Sequence, residues 1–378
     1  MHIAFVTTES PYGDGGACGI AAYLRAVIPA LVDADHKVTL FAKAKDEKDF
    51  SAENGRVNVH HFRLPSLHWY AAKVPLIKSI APLPMRQFEW SGTFYRRVAR
   101  VGALTKIDVI ESTETGSLFL HRIAPLVIRM HGSELTFRKH SGMPVNLNVR
   151  LNESLESAAA KHAAAITTPS RFQADEISKR RGWPPGRVQV IPNPISGELL
   201  RAASEFRRNG CAERIVLYTG RLAPVKGIDT LLEAAKLVSV KDSNITFVLA
   251  GPWQMPRAPE EYGLELNGKS ANGILWVGPQ SQPEIIEWYK RASLFVMPSN
   301  YETFGISAVE AIAFGLPAIV TETSGLAEVL GEEDLASFVP RRDPKALAEK
   351  INVLMSSRNG VRKNTDPVGV AIKRYRPE

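Results

Sequence analysis

Short apolar runs rich in β-branched and aromatic residues, each leading into a stretch of helical periodicity, recur along this chain in two series. The first series comprises HIAFVTT, KVTLFA, VNVHHF, IDVIEST, PLVIRMH, AAAITTPS and VQVIPNP, with helices expected over 20–34 and 149–165. Strands that are apolar on both faces and alternate with helices belong in a parallel sheet covered on each side, the doubly wound α/β arrangement. At Ile191–Pro194 the sequence IPNP breaks both periods, and after the polar stretch SEFRRNGCAER the pattern restarts with IVLYTG. The second series runs through ITFVLAG, ILWVG, ASLFVMPS and PAIVTE, with helices expected over 227–238, 282–291, 306–314 and 345–357. Two Rossmann-like domains in tandem follow, over 1–195 and 196–365, with a tail at about 366–378 that can pack back on the first. The 378 residues exceed what one hydrophobic core usually serves, which agrees with that division.

The formal charge of +8 is one-sided: residues 1–196 hold 25 Lys and Arg against 17 Asp and Glu, whereas 197–378 hold 22 of each. Its densest part, residues 60–100, sets Arg63, Lys73, Lys78, Arg86, Arg96, Arg97 and Arg100 against Glu89 alone, among Trp69, Tyr70, Phe88, Trp90, Phe94 and Tyr95. Cations interleaved with aromatics suit an anionic membrane surface or an acidic acceptor; a solvated basic helix with its aromatics in the core fits as well. No nucleic-acid motif accompanies the charge, so nucleic acid is not an expected partner. The opening MHIAFVTTES lacks a basic start and a long apolar stretch, and no run approaches the roughly 18–20 apolar residues of a membrane span, so a cytoplasmic protein is expected. Cys18 and Cys211 lack the spacing of a zinc site or redox pair and read as plain thiols.

In an open parallel sheet, ligands gather beyond the carboxyl ends of strands, where helix N-termini offer free N–H groups and partial positive charge. Beyond the first strand lie Gly13, Gly15, Gly16 and Gly19, a loop whose backbone can approach a phosphate but which lacks the G-x-G-x-x-G placement of a dinucleotide site. In LYTGRLAPVKG a strand ends at Gly220, Arg221 follows directly and Lys226 precedes the next helix, so that two fixed cations suit a diphosphate. In MPSNYETFGISAVEAIAFGLPAIV, Glu302 stands before a helix that starts at Gly305, and Glu310 lies inside it with seven residues between the two acids. Such carboxylates can accept hydrogen bonds from sugar hydroxyls while the amides of Gly305 and Ile306 receive an anion.

The combination resembles the retaining glycosyltransferases of family 4, which have the GT-B fold of two Rossmann-like domains facing each other across a cleft. Glu302 to Glu310 matches that family's Glu, seven residues, Glu signature, with Phe304-Gly305 and GLPAIVTETSGLAEVL in place; TGRLAPVKG matches its diphosphate segment, and PSRFQADEI with VIPNPI its interdomain stretch. The resemblance implies that Arg221 and Lys226 hold the donor diphosphate and that Phe304, Gly305 and Ile306 add to the donor site. It further implies that Glu310 binds the ribose hydroxyls and Glu302 the transferred sugar, that His131 in VIRMHGSE lies near sugar and acceptor, and that Gly16 packs against the donor phosphates. Two departures stand out: Pro194 follows Asn193 where the family usually has glycine, and the chain ends at YRPE without the family's usual last-helix motif.

Departure of the leaving group places negative charge on the diphosphate, and fixed cations stabilise it as it grows. By that resemblance no metal and no further cofactor is expected. The expected activity is retaining transfer of a hexose-type sugar from a UDP- or GDP-sugar to a lipid-linked or cell-surface glycan intermediate, as in polysaccharide biosynthesis. Alternatives are a soluble small-molecule acceptor, a non-catalytic nucleotide-sugar sensor on the same scaffold, and a nicotinamide-dependent dehydrogenase, which the missing fingerprint disfavours.

Overall fold

The computed structural model describes residues 1–12, 19–75, 77–78, 81–206, 213–268, 270, 273–331, 336–356, 369 and 373–375. The chain divides into two compact units, Met1–Gly16 with Leu24–Pro192 and Ala17–Tyr23 with Asn193–Glu378.

The first unit begins with β1 (His2–Thr7), α1 (Gly19–Asp33), β2 (Lys37–Lys43), β3 (Lys48–Ala52) and β4 (Val57–Phe62), followed by α2 (Leu67–Ala71) and α3 (Pro82–Gly102). It continues through β5 (Val109–Ser112), β6 (Leu126–Arg129), α4 (Glu134–His140), α5 (Leu147–Lys161), β7 (Ala165–Thr168), α6 (Arg171–Arg181) and β8 (Val188–Val190). Its sheet has the order β3-β4-β2-β1-β5-β6-β7-β8, parallel throughout except for the β3–β4 pair. All six residues of β1 are buried, as a central strand covered on both faces requires. β3, KDFSA, is largely exposed, and its charges blunt the sheet edge.

The charged 60–100 segment places part of its aromatics in the core and part on the surface. α3 buries Leu83, Gln87, Trp90, Ser91, Phe94 and Val98, a 3.6-residue stripe facing the core. Trp69, Tyr70 and Phe88 remain more than half exposed. Side-chain caps start α4, α5 and α6: Ser133 accepts the Thr136 N–H, Asn146 that of Val149 and Ser170 that of Gln173.

The second unit runs α7 (Gly197–Glu205), β9 (Ile215–Thr219), α8 (Ile228–Lys241), β10 (Thr246–Ala250), β11 (Ile274–Gly278), α9 (Gln282–Arg291) and β12 (Leu294–Met297). It ends with α10 (Ile306–Ala313), β13 (Ala318–Thr321), α11 (Ser324–Leu330), β14 (Ser337–Val339) and α12 (Pro344–Ser356). The sheet order is β11-β10-β9-β12-β13-β14, all parallel. Alternate residues of β9 feed two separate cores: Ile215 and Leu217 join α7, α9 and α10, while Val216 and Tyr218 join α8 and α12. Strand order reverses between β9 and β12, the switch point beyond whose carboxyl ends ligands gather in open α/β sheets. Within the tail, Tyr375 is buried against this second unit: its carbonyl accepts the Ile195 N–H, its hydroxyl donates to Val329 O, and its ring meets Phe304 edge-on. Among the described residues no helix is long and apolar enough to cross a membrane.

Candidate active site

Beyond β9 the backbone turns at Gly220 and passes Arg221 into a single 3-10 turn, Pro224–Lys226. Gly227 closes that turn at φ +69°, and a β-carbon there would lie 1.9 Å from the carbonyl oxygen of Pro298, just past β12. Only glycine lets the two strand ends approach this closely. Asn300 secures the approach, since its side-chain amide donates to Pro224 O at 2.9 Å and its backbone N–H to Val225 O at 2.8 Å.

The result of this clamp is an ion pair. Lys226 Nζ donates to Glu302 Oε2 at 2.6 Å, with side-chain exposures of 21% and 11%. Burial alone would raise the Glu302 carboxyl, but the Lys226 ammonium and the N–H groups of Phe304 and Thr303 outweigh it and hold the acid below its usual range. Glu302 therefore stands ionised, paired with Lys226, in the loop that follows β12. Arg221 is half-buried beside it, its carbonyl fixed by the buried Tyr218 hydroxyl at 2.7 Å, and among the described residues no carboxylate pairs with its guanidinium.

Gly305, at φ +81°, is the N-cap of α10, and no side chain caps the first turn. Its helix end is thus left to amides, the arrangement that receives anions. One turn further on, Glu310 is oriented by a residue that sequence reasoning missed. The fully buried Tyr289 of α9 donates its hydroxyl to Glu310 Oε2 at 2.9 Å and lies 3.0 Å from Thr219 Oγ1 at the end of β9. Nothing in EIIEWYKR marks Tyr289 out, because its role depends on a helix stacking across two strands.

Phe304, expected among the donor contacts, turns its ring into the core at 2% exposure; it offers the site its backbone N–H only. Gly16 lies outside the described residues. His131 belongs to the first unit, two residues past β6, in a turn where Gly132 has φ +141°. Burial and then the charge of the buried Arg129 drive its imidazole down to about 3, so the ring is neutral at physiological pH. The sequence's Asp-x-Asp spacing, Asp33-Ala34-Asp35, ends α1, where Asp33 pairs with Arg56 at 3.1 Å. Among the described residues no cluster of three or more His, Cys, Asp or Glu side chains could hold a metal ion.

Two family models divide the chain between them, Glycosyltransferase Family 4 over residues 17–198 and Glycosyl transferases group 1 over residues 204–367. The chain belongs to the group 1, family 4 glycosyltransferases. An uncharacterised glycosyltransferase of Methanocaldococcus jannaschii is 26% identical over 371 residues, covering 94% of this chain and 89% of that protein. A D-inositol 3-phosphate glycosyltransferase of Thermomonospora curvata is 28% identical over 213 residues, covering 51% of this chain and 48% of that protein. Among solved structures, sucrose-phosphate synthase from Thermosynechococcus elongatus aligns with TM-score 0.74 at 20% identity, over 99% of this chain and 94% of its own. Anabaena HepE, solved in complex with UDP-glucose, aligns with TM-score 0.67 at 18% identity, over 99% of this chain and 95% of its own. At these identities the structural likeness shows the fold, and the fold is GT-B. Within the glycosyltransferase, then, the segments that follow β9 and β12 carry Arg221, Lys226, Glu302 and Glu310, and His131 stands at a strand end of the other unit.

Proposed function

We propose that this glycosyltransferase moves a hexose-type sugar from a UDP- or GDP-sugar to its acceptor with retention at the anomeric carbon and without a divalent metal. The observation that carries this reading is the Lys226–Glu302 pair at the reversal point of a doubly wound sheet. A diphosphate seated over the α10 amides would meet Arg221 and Lys226, whose positive charge offsets the charge that grows on the leaving group. Glu302 and Glu310, both kept from free solvation, would orient sugar and ribose hydroxyls. The UDP and UDP-glucose bound in Anabaena HepE support a uridine donor as the first to test. Attack from the face that the diphosphate leaves, with a departing phosphate oxygen taking the acceptor proton, gives retention without a carboxylate nucleophile.

The acceptor in this reading is a lipid-linked or cell-surface glycan intermediate met at the cytoplasmic membrane face. Its support is the exposed aromatic and basic surface of residues 67–78 in the first unit.

The test is a thermal-shift screen of UDP-, GDP- and ADP-sugars, followed by nucleoside diphosphate release with the stabilising donor. Lys226→Ala and Glu302→Ala should each melt cooperatively yet lose transfer by about 100-fold or more, as removal of a group aimed at developing charge does. Near-normal turnover in either variant removes the assignment. A product of inverted anomeric configuration, read by NMR, removes the retaining mechanism.

A further inference from the structure

The β5–β6 register sets Ser112 opposite Ile128, which brings Glu114 level with the turn that carries His131. Glu114 is 7% exposed, and both its carboxylate oxygens face that turn: Oε1 accepts the Gly132 N–H at 3.1 Å and Oε2 the His131 N–H at 3.4 Å. Its main chain is pinned as well, because the Glu114 carbonyl accepts from Ser117 Oγ at 3.2 Å and from Gln87 Nε2 at 3.5 Å. Two consecutive N–H groups shared across one carboxylate define where that turn can lie, and Gly132, at φ +141°, would otherwise be free to rotate. We propose that Glu114 is the positioning residue for His131, a buried carboxylate that holds the imidazole at the strand end by gripping the backbone on which it sits.

Neighbouring groups serve this arrangement. Glu156 on α5, 2% exposed, is pushed up by burial first and then by the charges of Glu114 and Glu153, against Arg181 and Asn152. Arg181, donating to Glu153 Oε1 at 2.8 Å and Glu156 Oε2 at 3.3 Å, supplies positive charge to the same interior. Glu156 contacts Asn152 and Arg181, not the turn.

The contrast gives a test in the full-length chain, with UDP-glucose as the probe donor. It rests on the proposed sugar transfer and on the family resemblance, which implies that His131 lies near the transferred sugar. Glu114→Gln replaces one acceptor oxygen by an NH2 group, so one of the two N–H groups loses its partner. Amide hydrogen exchange at His131–Gly132 should quicken by about tenfold or more, and UDP release from UDP-glucose should fall by about tenfold with KM for UDP-glucose unchanged. Glu156→Gln, a near-isosteric change at a buried carboxyl that does not touch the turn, should alter neither. Glu114→Asp retains both carboxyl oxygens as acceptors and should recover part of the exchange protection. Wild-type exchange in Glu114→Gln overturns the proposal, and so does an equal effect from Glu156→Gln, which would reduce Glu114 to a member of a general buried network. A wild-type chain that releases no UDP removes the donor reading instead, while the exchange comparison still decides the role of Glu114.

Discussion

At His131 two influences act in the same direction: withdrawal from water disfavours the imidazolium, and the positive charge of the buried Arg129 disfavours it further, down to about 3. A base with a lowered folded value makes its full contribution to stability above its unfolded value of about 6.5 and loses it as pH falls toward 3. The ring resonances of His131 should therefore stay flat from pH 5 to pH 8 in a histidine-resolved NMR titration; an inflection near 6.5 would show the ring to be solvated and its neighbourhood wrongly described. A neutral ring can accept or donate one hydrogen bond to a sugar hydroxyl but has no spare proton to give. At this scale the sequence exposed the residues that stand at strand ends. Arg221, Lys226, Glu302 and Glu310 were legible as candidates because they lie in segments that follow runs read as strands, where ligands gather in an open sheet, and because those segments resemble the family 4 motifs. Tyr289 and Glu114 were hidden for a common reason: each acts on a site residue far away in sequence, across a helix packing or a strand pairing that local patterning does not encode.

Among the elements, α11 shows how little room the site leaves. Gly325, at its start, would place a β-carbon 2.2 Å from Glu302 O and 2.8 Å from both the carbonyl carbon and oxygen of Thr303. Replacing a helical glycine by alanine ordinarily gains about 1 kcal/mol in helix propensity, whereas backbone overlap of this kind costs typically 1–3 kcal/mol. The clash wins, and because the displaced backbone is that of Glu302, it falls on function. Gly325→Ala is expected to lower the melting temperature and to cut transfer by about tenfold or more through misplacement of the carboxylate. Gly92 in α3 is the control: its β-carbon would meet nothing nearer than Arg96 Nη1 at 3.5 Å, so Gly92→Ala should hold or raise the melting temperature. Equal behaviour of the two variants would mean that α11 yields without disturbing Glu302. The two-sided apolar strands were legible because burial on both faces leaves no other composition available. β3 was not, since KDFSA is an exposed edge held by pairing with β4, and α3 was legible only as one of two readings of the basic segment because its apolar stripe is interleaved with arginines.

Across the whole molecule the charge is divided unequally, and the surplus has a surface on which to act. Between Glu53 and Asp108 the only acid is Glu89, and His68 Nδ1 engages it at 2.7 Å. Just there, Leu67, Trp69, Tyr70, Val74 and Ile77 are 40–62% exposed, with the Lys73 ammonium 3.5 Å above the Trp69 ring and Lys78 in solvent. Apolar side chains singly exposed are ordinary, but five within eleven residues, flanked by cations and without a free acid, match a surface that lies on an anionic bilayer. Each cation near such a surface contributes about 1 kcal/mol, and the contribution falls away within a Debye length. The protein should sediment with vesicles containing phosphatidylglycerol, less with phosphatidylcholine alone, and less again as salt is raised. A Trp69→Ser, Lys73→Glu double variant should bind anionic vesicles about tenfold more weakly or worse, since it removes one cation, adds one anion and deletes an interfacial ring. Neither residue is among those assigned to the donor site or to the His131 turn, so UDP release from UDP-glucose in solution should be unchanged. Binding that ignores lipid charge, or a double variant that sediments like the wild type, would return this surface to the role of a solvated basic face and leave a soluble acceptor as the better reading.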